Sequence, residues 1–155
     1  MRKTLAAVAL LAASVGTAYA DEHKCLAEAM YFEARDQGTI GMLAVGVVIQ
    51  NRVDHPSYPN NVCAVVRQGR YWKGNPVRDK CQFSYWCDGR PERPGEKEVW
   101  EKSKNIAYLL MTTDIDIEGL GEATHYHADW VRPHWSKVME PRSKIGQHIF
   151  YAEKQ

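Results

Sequence analysis

Apolar and polar positions follow three rhythms along this chain, and each predicts a different element. From Cys25 to about Asp36 the apolar residues recur with a helical period, and Gly38 stops the run. A second helix, capped by Gly38 or Thr39, extends to about Val53; its middle, "MLAVGVVI", is apolar on every side and belongs inside a core, and His55-Pro56 ends it. Asn60 or Asn61 can cap a short third helix that finishes before Gly69. Glu96 to Thr113 is amphipathic, with Val99, Trp100, Ile106, Ala107 and Leu110 on the inner face. "EATHYHADW" alternates as a strand does, and "IGQHIFYA" suggests a last strand. Arg70 to Arg93 is irregular, and within it "CQFSYWC" reads as a small stapled hairpin. Helices first and a small β part afterwards predict a single α+β domain, mainly helical, with a small hairpin or sheet part.

One polar residue breaks the pattern of the first helix. On a wheel of about 100° per residue, Leu26, Ala29, Met30 and Ala34 form one apolar stripe. Glu33 falls inside that stripe, whereas Glu28 and Arg35 fall on the opposite, wet face. A carboxylate aimed inward loses hydration, and this raises its pKa. At the ordinary value only roughly 0.2% of a glutamate is protonated at pH 7, but at a pKa of ~6 about a tenth is, which suits a general acid for a glycosidic oxygen. The structural alternative is a partly buried glutamate tied to an arginine or a backbone amide.

The first residues follow another logic. Met1-Arg2-Lys3 is basic, Leu5 to Val15 is small or apolar, and Ala18-Tyr19-Ala20 is an A-x-A site. This is the pattern of a secretory signal peptide over residues 1–20, with the mature domain at 21–155. No apolar run reaches the length of a transmembrane helix. Without Arg2 and Lys3, 18 of the 20 basic residues remain against 19 acidic ones, so nothing resembles the footprint of a nucleic-acid binder. The locally basic stretch Arg67–Arg93 carries seven Lys/Arg against three Asp/Glu and reads mainly as a solvated surface.

Cys25, Cys63, Cys81 and Cys87 make an even count in an exported chain and suggest two disulfides. Of three connectivities, Cys25–Cys63 with Cys81–Cys87 is favoured because the second pair closes a short local loop. The chain-entropy model assigns these bonds about 3.9 and about 2.4 kcal/mol.

Two further clusters could carry chemistry. His125 and His127 share one face of a predicted strand; with His134 or His148 they could bind zinc beside Glu33, or they could bond to backbone or sugar. Tyr71, Trp72, Phe83, Tyr85, Trp86, Trp130 and Trp135 cluster in predicted loops, where exposed rings would stack on sugar faces and buried ones would plug the core.

The combination of "EAR" at 33–35, Gly41, "AV" at 44–45, "VIQNR" at 48–52, "PNNVCAVV", "CQFS", "ATHY" and "IGQHIFY" resembles the cell wall hydrolase family typified by the spore cortex-lytic enzyme SleB. The resemblance extends from Cys25 to Tyr151 and is greatest to exported Gram-negative members. It implies a compact lysozyme-like α+β fold acting on peptidoglycan glycan strands, with Glu33 as the catalytic acid/base. It also implies Phe83, Ser84, Thr124, His125 and Tyr126 as substrate-binding groove positions, and no metal or other cofactor. Where many members read E-A-R-G-E, this chain has Asp36-Gln37, so the second glutamate is missing.

A hydrolytic glycosidase needs two carboxylates about the bond, whereas only Glu33 is supported by both wheel and motif. A lytic transglycosylase needs one, because the sugar's own C6 hydroxyl captures the reactive centre. The expected protein is therefore a periplasmic lytic transglycosylase, secreted across the inner membrane, that cuts between N-acetylmuramic acid and N-acetylglucosamine. Its partner is the glycan strand, and no separate wall-binding domain is evident, so targeting falls to this domain or to an envelope protein. The alternatives are a hydrolytic muramidase drawing on Asp79, Asp88, Glu122 or Asp129, a zinc amidase or endopeptidase built on His125, His127 and His148, and a glycan-binding module without activity.

Overall fold

A computed structural model describes residues 4–154, with side chains from residue 16 onward. The basic start Met1–Lys3 and the side chains of Leu5–Val15, both read above as leader, lie outside the described residues. Helix α1 spans Thr4–Ala34, α2 Gly38–Asp54, α3 Val62–Val66 and α4 Lys97–Thr112. A hairpin of β1 (Gly69–Trp72) and β2 (Asn75–Cys81) separates α3 from α4, and β3 (His125–Ala128), β4 (Glu140–Ile145) and β5 (His148–Ala152) follow. The α+β reading holds, although the hairpin precedes the last helix. Among the described residues no helix is long and apolar enough to cross a membrane.

The expected first helix, Cys25 to Asp36, is the last part of α1, which begins at Thr4. Among the described residues of α1 the buried core starts at Cys25 and includes Leu26, Ala27, Ala29, Met30, Tyr31 and Ala34. Placing Glu28 on a wet face was wrong: it is 8% exposed, because α2, α3 and α4 all pack around α1. Helix α2 is buried nearly all round, as its composition demands. Gly46 makes the close approach possible: a Cβ there would meet Leu110 of α4 and lie 2.7 Å from Met30 Sδ of α1. Two hydrogen-bond sets lock α4 onto α1. The Tyr31 hydroxyl accepts the N–H groups of Gly95 and Glu96, both at 3.1 Å, where α4 begins, and Ser103 Oγ donates to Ala27 O at 2.7 Å.

The N-cap of α3 is Asn61, whose side chain accepts the Ala64 N–H at 2.8 Å. Both favoured disulfides are present, Cys25–Cys63 and Cys81–Cys87. The hairpin expected within "CQFSYWC" is a different object: the end of β2 followed by a 3-10 turn at Ser84–Cys87. The real hairpin lies just upstream, and its turn residues Lys73 and Gly74 both have positive φ, 49° and 80°. The second sheet is antiparallel in the order β3-β5-β4, with Tyr126 paired to Phe150 and Ala128 to His148.

Candidate active site

Three elements converge on Glu33. Helix α1 carries it near its C-terminal end, β3 supplies Tyr126, and α2 supplies Arg52. Tyr126 OH donates to Glu33 Oε2 at 3.2 Å. Arg52 is 5% exposed, its Nε donates to Thr124 O at 2.7 Å, and its guanidinium lies over the rings of Tyr58 (5.3 Å) and Phe83 (5.4 Å). Asn51, its neighbour, donates to both Gly121 O and Ala123 O at 2.9 Å. The end of α2 therefore holds the strand lead-in from Gly121 to Thr124 and sets where β3 delivers Tyr126.

This housing shifts the Glu33 carboxyl up to about 7. Desolvation is the largest cause, opposed by the Tyr126 hydrogen bond and by the positive charge of Arg52. The side chain nevertheless stays partly exposed. Among the described residues no carboxylate is a cause of this shift. The four acids considered as a second catalyst are engaged or placed elsewhere. Asp129 pairs with Lys144 at 2.6 Å, Asp88 accepts the Arg90 N–H at 2.7 Å, Asp79 lies on the exposed hairpin, and Glu122 lines a cavity with Asp54 and His55.

The other expected site residues divide. Tyr126 and His125 are partly exposed, and Ser84 is exposed at the start of the 3-10 turn. Phe83 and Thr124 are 1% and 2% exposed; Phe83 lies under Arg52, and Thr124 holds Arg52 through its carbonyl while its hydroxyl bonds His125 Nδ1 at 3.0 Å. Arg52 and Tyr58 were missed as site residues. The signal for Arg52 was available: a cation at the end of an otherwise apolar buried helix needs partners.

The histidines do not form the imagined triad. His125 and His127 share one face of β3, next to Trp135, whereas His148 lies under Tyr126 on the other, with ring centroids 5.0 Å apart. His127 Nδ1 donates to Ala128 O at 2.8 Å, and its Nε2 accepts from Tyr151 OH at 3.0 Å, so both ring nitrogens are engaged. Among the described residues no group of three His, Cys, Asp or Glu side chains could hold a metal ion.

Gln37, standing where many members of the resembling family have glutamate, has a structural task. Its Oε1 accepts the Gln147 N–H at 2.7 Å, and its Nε2 donates to Gln147 Oε1 at 3.2 Å. It thus ties the α1–α2 corner to the β4–β5 turn. Gly146 in that turn has φ 58°, and a Cβ there would come within 2.5 Å of Gln37 Oε1. A glutamate would keep the first bond and lose the second. Asp36 is exposed and acts electrostatically on His148 rather than on Glu33.

The chain is 39% identical over 144 residues to a spore cortex-lytic enzyme of Halalkalibacterium halodurans, covering 90% of this chain and 37% of that protein. It is 27% identical over 135 residues to the spore cortex-lytic enzyme of Bacillus cereus, covering 81% of this chain and 42% of the relative. It therefore spans about two fifths of the length of these curated relatives. Among solved structures, the catalytic domain of the germination-specific lytic transglycosylase SleB from Bacillus anthracis superposes with a TM-score of 0.62 at 26% identity, covering 84% of this chain and 93% of that one. The catalytic domain of the Bacillus cereus SleB protein gives 0.61 at the same identity. The family described as Cell Wall Hydrolase matches residues 36–151, from just beyond Glu33 to Tyr151 on β5. That match takes in the elements delivering Arg52 and Tyr126, and the chain belongs to the cell wall hydrolase family.

Proposed function

We propose that the protein is a lytic transglycosylase that cleaves peptidoglycan glycan strands between N-acetylmuramic acid and N-acetylglucosamine. The observation that carries this reading is an accessible carboxyl, shifted to about 7, on which no second carboxylate acts among the described residues. At pH 7 about half of such a group is protonated, against roughly 0.3% at an unshifted value of 4.5. Protonated Glu33 gives its proton to the glycosidic oxygen as the C1–O bond breaks. The carboxylate left behind is the form that Tyr126 OH and the charge of Arg52 favour. Glu33 then takes the proton of the C6 hydroxyl while O6 bonds to C1, closing a 1,6-anhydro ring and returning the enzyme to its starting state. No water enters the balance.

The proposal extends to location. Residues 1–20 act as an export leader, and 21–155 form the catalytic domain in the periplasm. In support, the buried core begins at Cys25, Glu22 accepts the N–H groups that open α3, and cleavage after Ala20 would leave both intact. Two disulfides suit an oxidising compartment.

The test is digestion of purified sacculi followed by mass spectrometry of the muropeptides. Anhydro ends are expected. Reducing ends in their place would make the enzyme a hydrolytic muramidase.

A further inference from the structure

A cavity lies beside the end of α1 that carries Glu33, and none of its lining residues takes part in the proton transfers above. It measures about 260 Å³, and its border includes Phe32, Arg35, Tyr85, Asp88, Arg90 and Glu92, together with Ser84, one of the expected groove positions. Its floor is apolar: Phe32 stacks on Tyr85 with centroids 4.9 Å apart and planes at 19°. Burial raises the Tyr85 pKa, and the charges of Glu28 and Glu33 raise it further, so the ring lies within the electrostatic reach of the catalytic carboxyl. The rim carries both signs of charge. Arg35 pairs with Glu96 at 3.6 Å, and Asp88 is engaged by the Arg90 amide. The Arg90 guanidinium and the Glu92 carboxylate have no ion-pair partner among the described residues.

The segment bearing these charges has no regular structure, yet it is held at both ends. Cys87 is bonded to Cys81, and the Tyr31 hydroxyl takes the N–H groups of Gly95 and Glu96. The rim is thus largely pre-organised, which lowers the cost of ordering it around a ligand.

We propose that this cavity is a subsite for the peptide stem of peptidoglycan, an inference that rests on the glycan-cleaving reading of Glu33. A bare glycan strand offers neutral hydroxyl and acetamido groups. A peptide stem, attached to the muramic sugar beside the scissile bond, offers free carboxylates, an ammonium group and short apolar side chains. An apolar floor with one unpaired cation and one unpaired anion complements that zwitterion, whereas a neutral sugar ring would leave both charges desolvated without a partner. The enzyme should therefore discriminate strands by their peptides.

The experiment compares kcat/KM on peptide-bearing glycan strands with kcat/KM on the same strands after an amidase has removed the peptides. For the wild type the ratio should favour the peptide-bearing strands. In the double variant Arg90→Ala, Glu92→Ala that ratio should fall about tenfold, chiefly through KM. An unchanged ratio, or a wild-type preference for stripped strands, would overturn the proposal. A second readout does not depend on catalysis: free stem peptide added to the Glu33→Gln protein should shift the amide resonances of Gly89 and Gly95, and the double variant should abolish the shift. Absence of any shift counts against the subsite. Lack of glycan cleavage with the peptide shift retained counts against the catalytic reading alone.

Discussion

Glu28 and Glu33 lie on the same helix, five positions apart, and burial raises the pKa of both. They are nevertheless different objects. Glu28 is 8% exposed, and its charge is met by Lys24 Nζ at 3.6 Å, one turn away on the same helix. Glu33 is more open, no lysine meets it among the described residues, and its oxygen is held by a phenol from a distant strand. A raised carboxyl marks desolvated housing and nothing more. What separates an acid catalyst from a structural carboxyl is access for substrate, together with fixed dipoles that favour the charged form once the proton has left.

The most severe way to break this contrast is to neutralise each carboxyl in turn. Glu33→Gln should lower activity on sacculi by about 10³-fold with the fold intact, as expected for loss of a general acid. Glu28→Gln should stay within about threefold of wild type, because the residue is buried among the helices and its charge is met by Lys24. Near-equal losses in the two variants, in one turnover assay, would erase the distinction.

The next effect is on stability. Glu33 has a folded pKa above its unfolded one, so the folded state holds a proton that the unfolded state releases. Its contribution is fully present below about pH 4.5 and is lost as pH rises to about 7, by up to about 3 kcal/mol for a fully shielded group. The amide of Glu33→Gln carries no such proton. Urea unfolding at pH 5 and pH 8 should show the wild type losing stability between the two while the variant loses less. An identical pH slope would mean that the carboxyl is not desolvated.

Breaking the short disulfide by replacing Cys81 and Cys87 with serine should cost about 2.4 kcal/mol, measured by thermal unfolding. Because that bond also pins one end of the Cys87–Glu96 segment, the loss should reach the cavity beside Glu33 before it reaches Glu33 itself. Tyr126→Phe should act most directly on Glu33. Removing the donor withdraws a hydrogen bond that holds the Glu33 pKa down, so the alkaline limb of the activity profile, set by loss of the catalytic proton, should move to higher pH while turnover falls about tenfold.

The inward aim of Glu33 was legible because a helical period places it among Leu26, Met30 and Ala34, all 0% exposed. Glu28 was misread for a related reason. A single apolar stripe describes a helix that packs on one side, and α1 is packed on several. The β1–β2 hairpin left little trace because both strands are largely exposed and lack the alternation that burial imposes; its Lys73-Gly74 turn was the usable mark. Strand β4 escaped for the same reason: Pro141, Arg142 and Lys144 are exposed on an edge. Both disulfides could be read from loop length. The link from Arg52 to Thr124 O could not, since it joins positions 72 residues apart and appears only when the chain is folded.

The central claim is that this housing keeps an accessible Glu33 carboxyl half-protonated near neutral pH. Side-chain carbon NMR of the carboxyl groups, titrated from pH 3 to pH 9 with Glu33→Gln as the assignment control, measures it directly. A resonance that titrates near 7 and disappears in the variant is the predicted result. A Glu33 midpoint near the ordinary 4.5 would contradict the account.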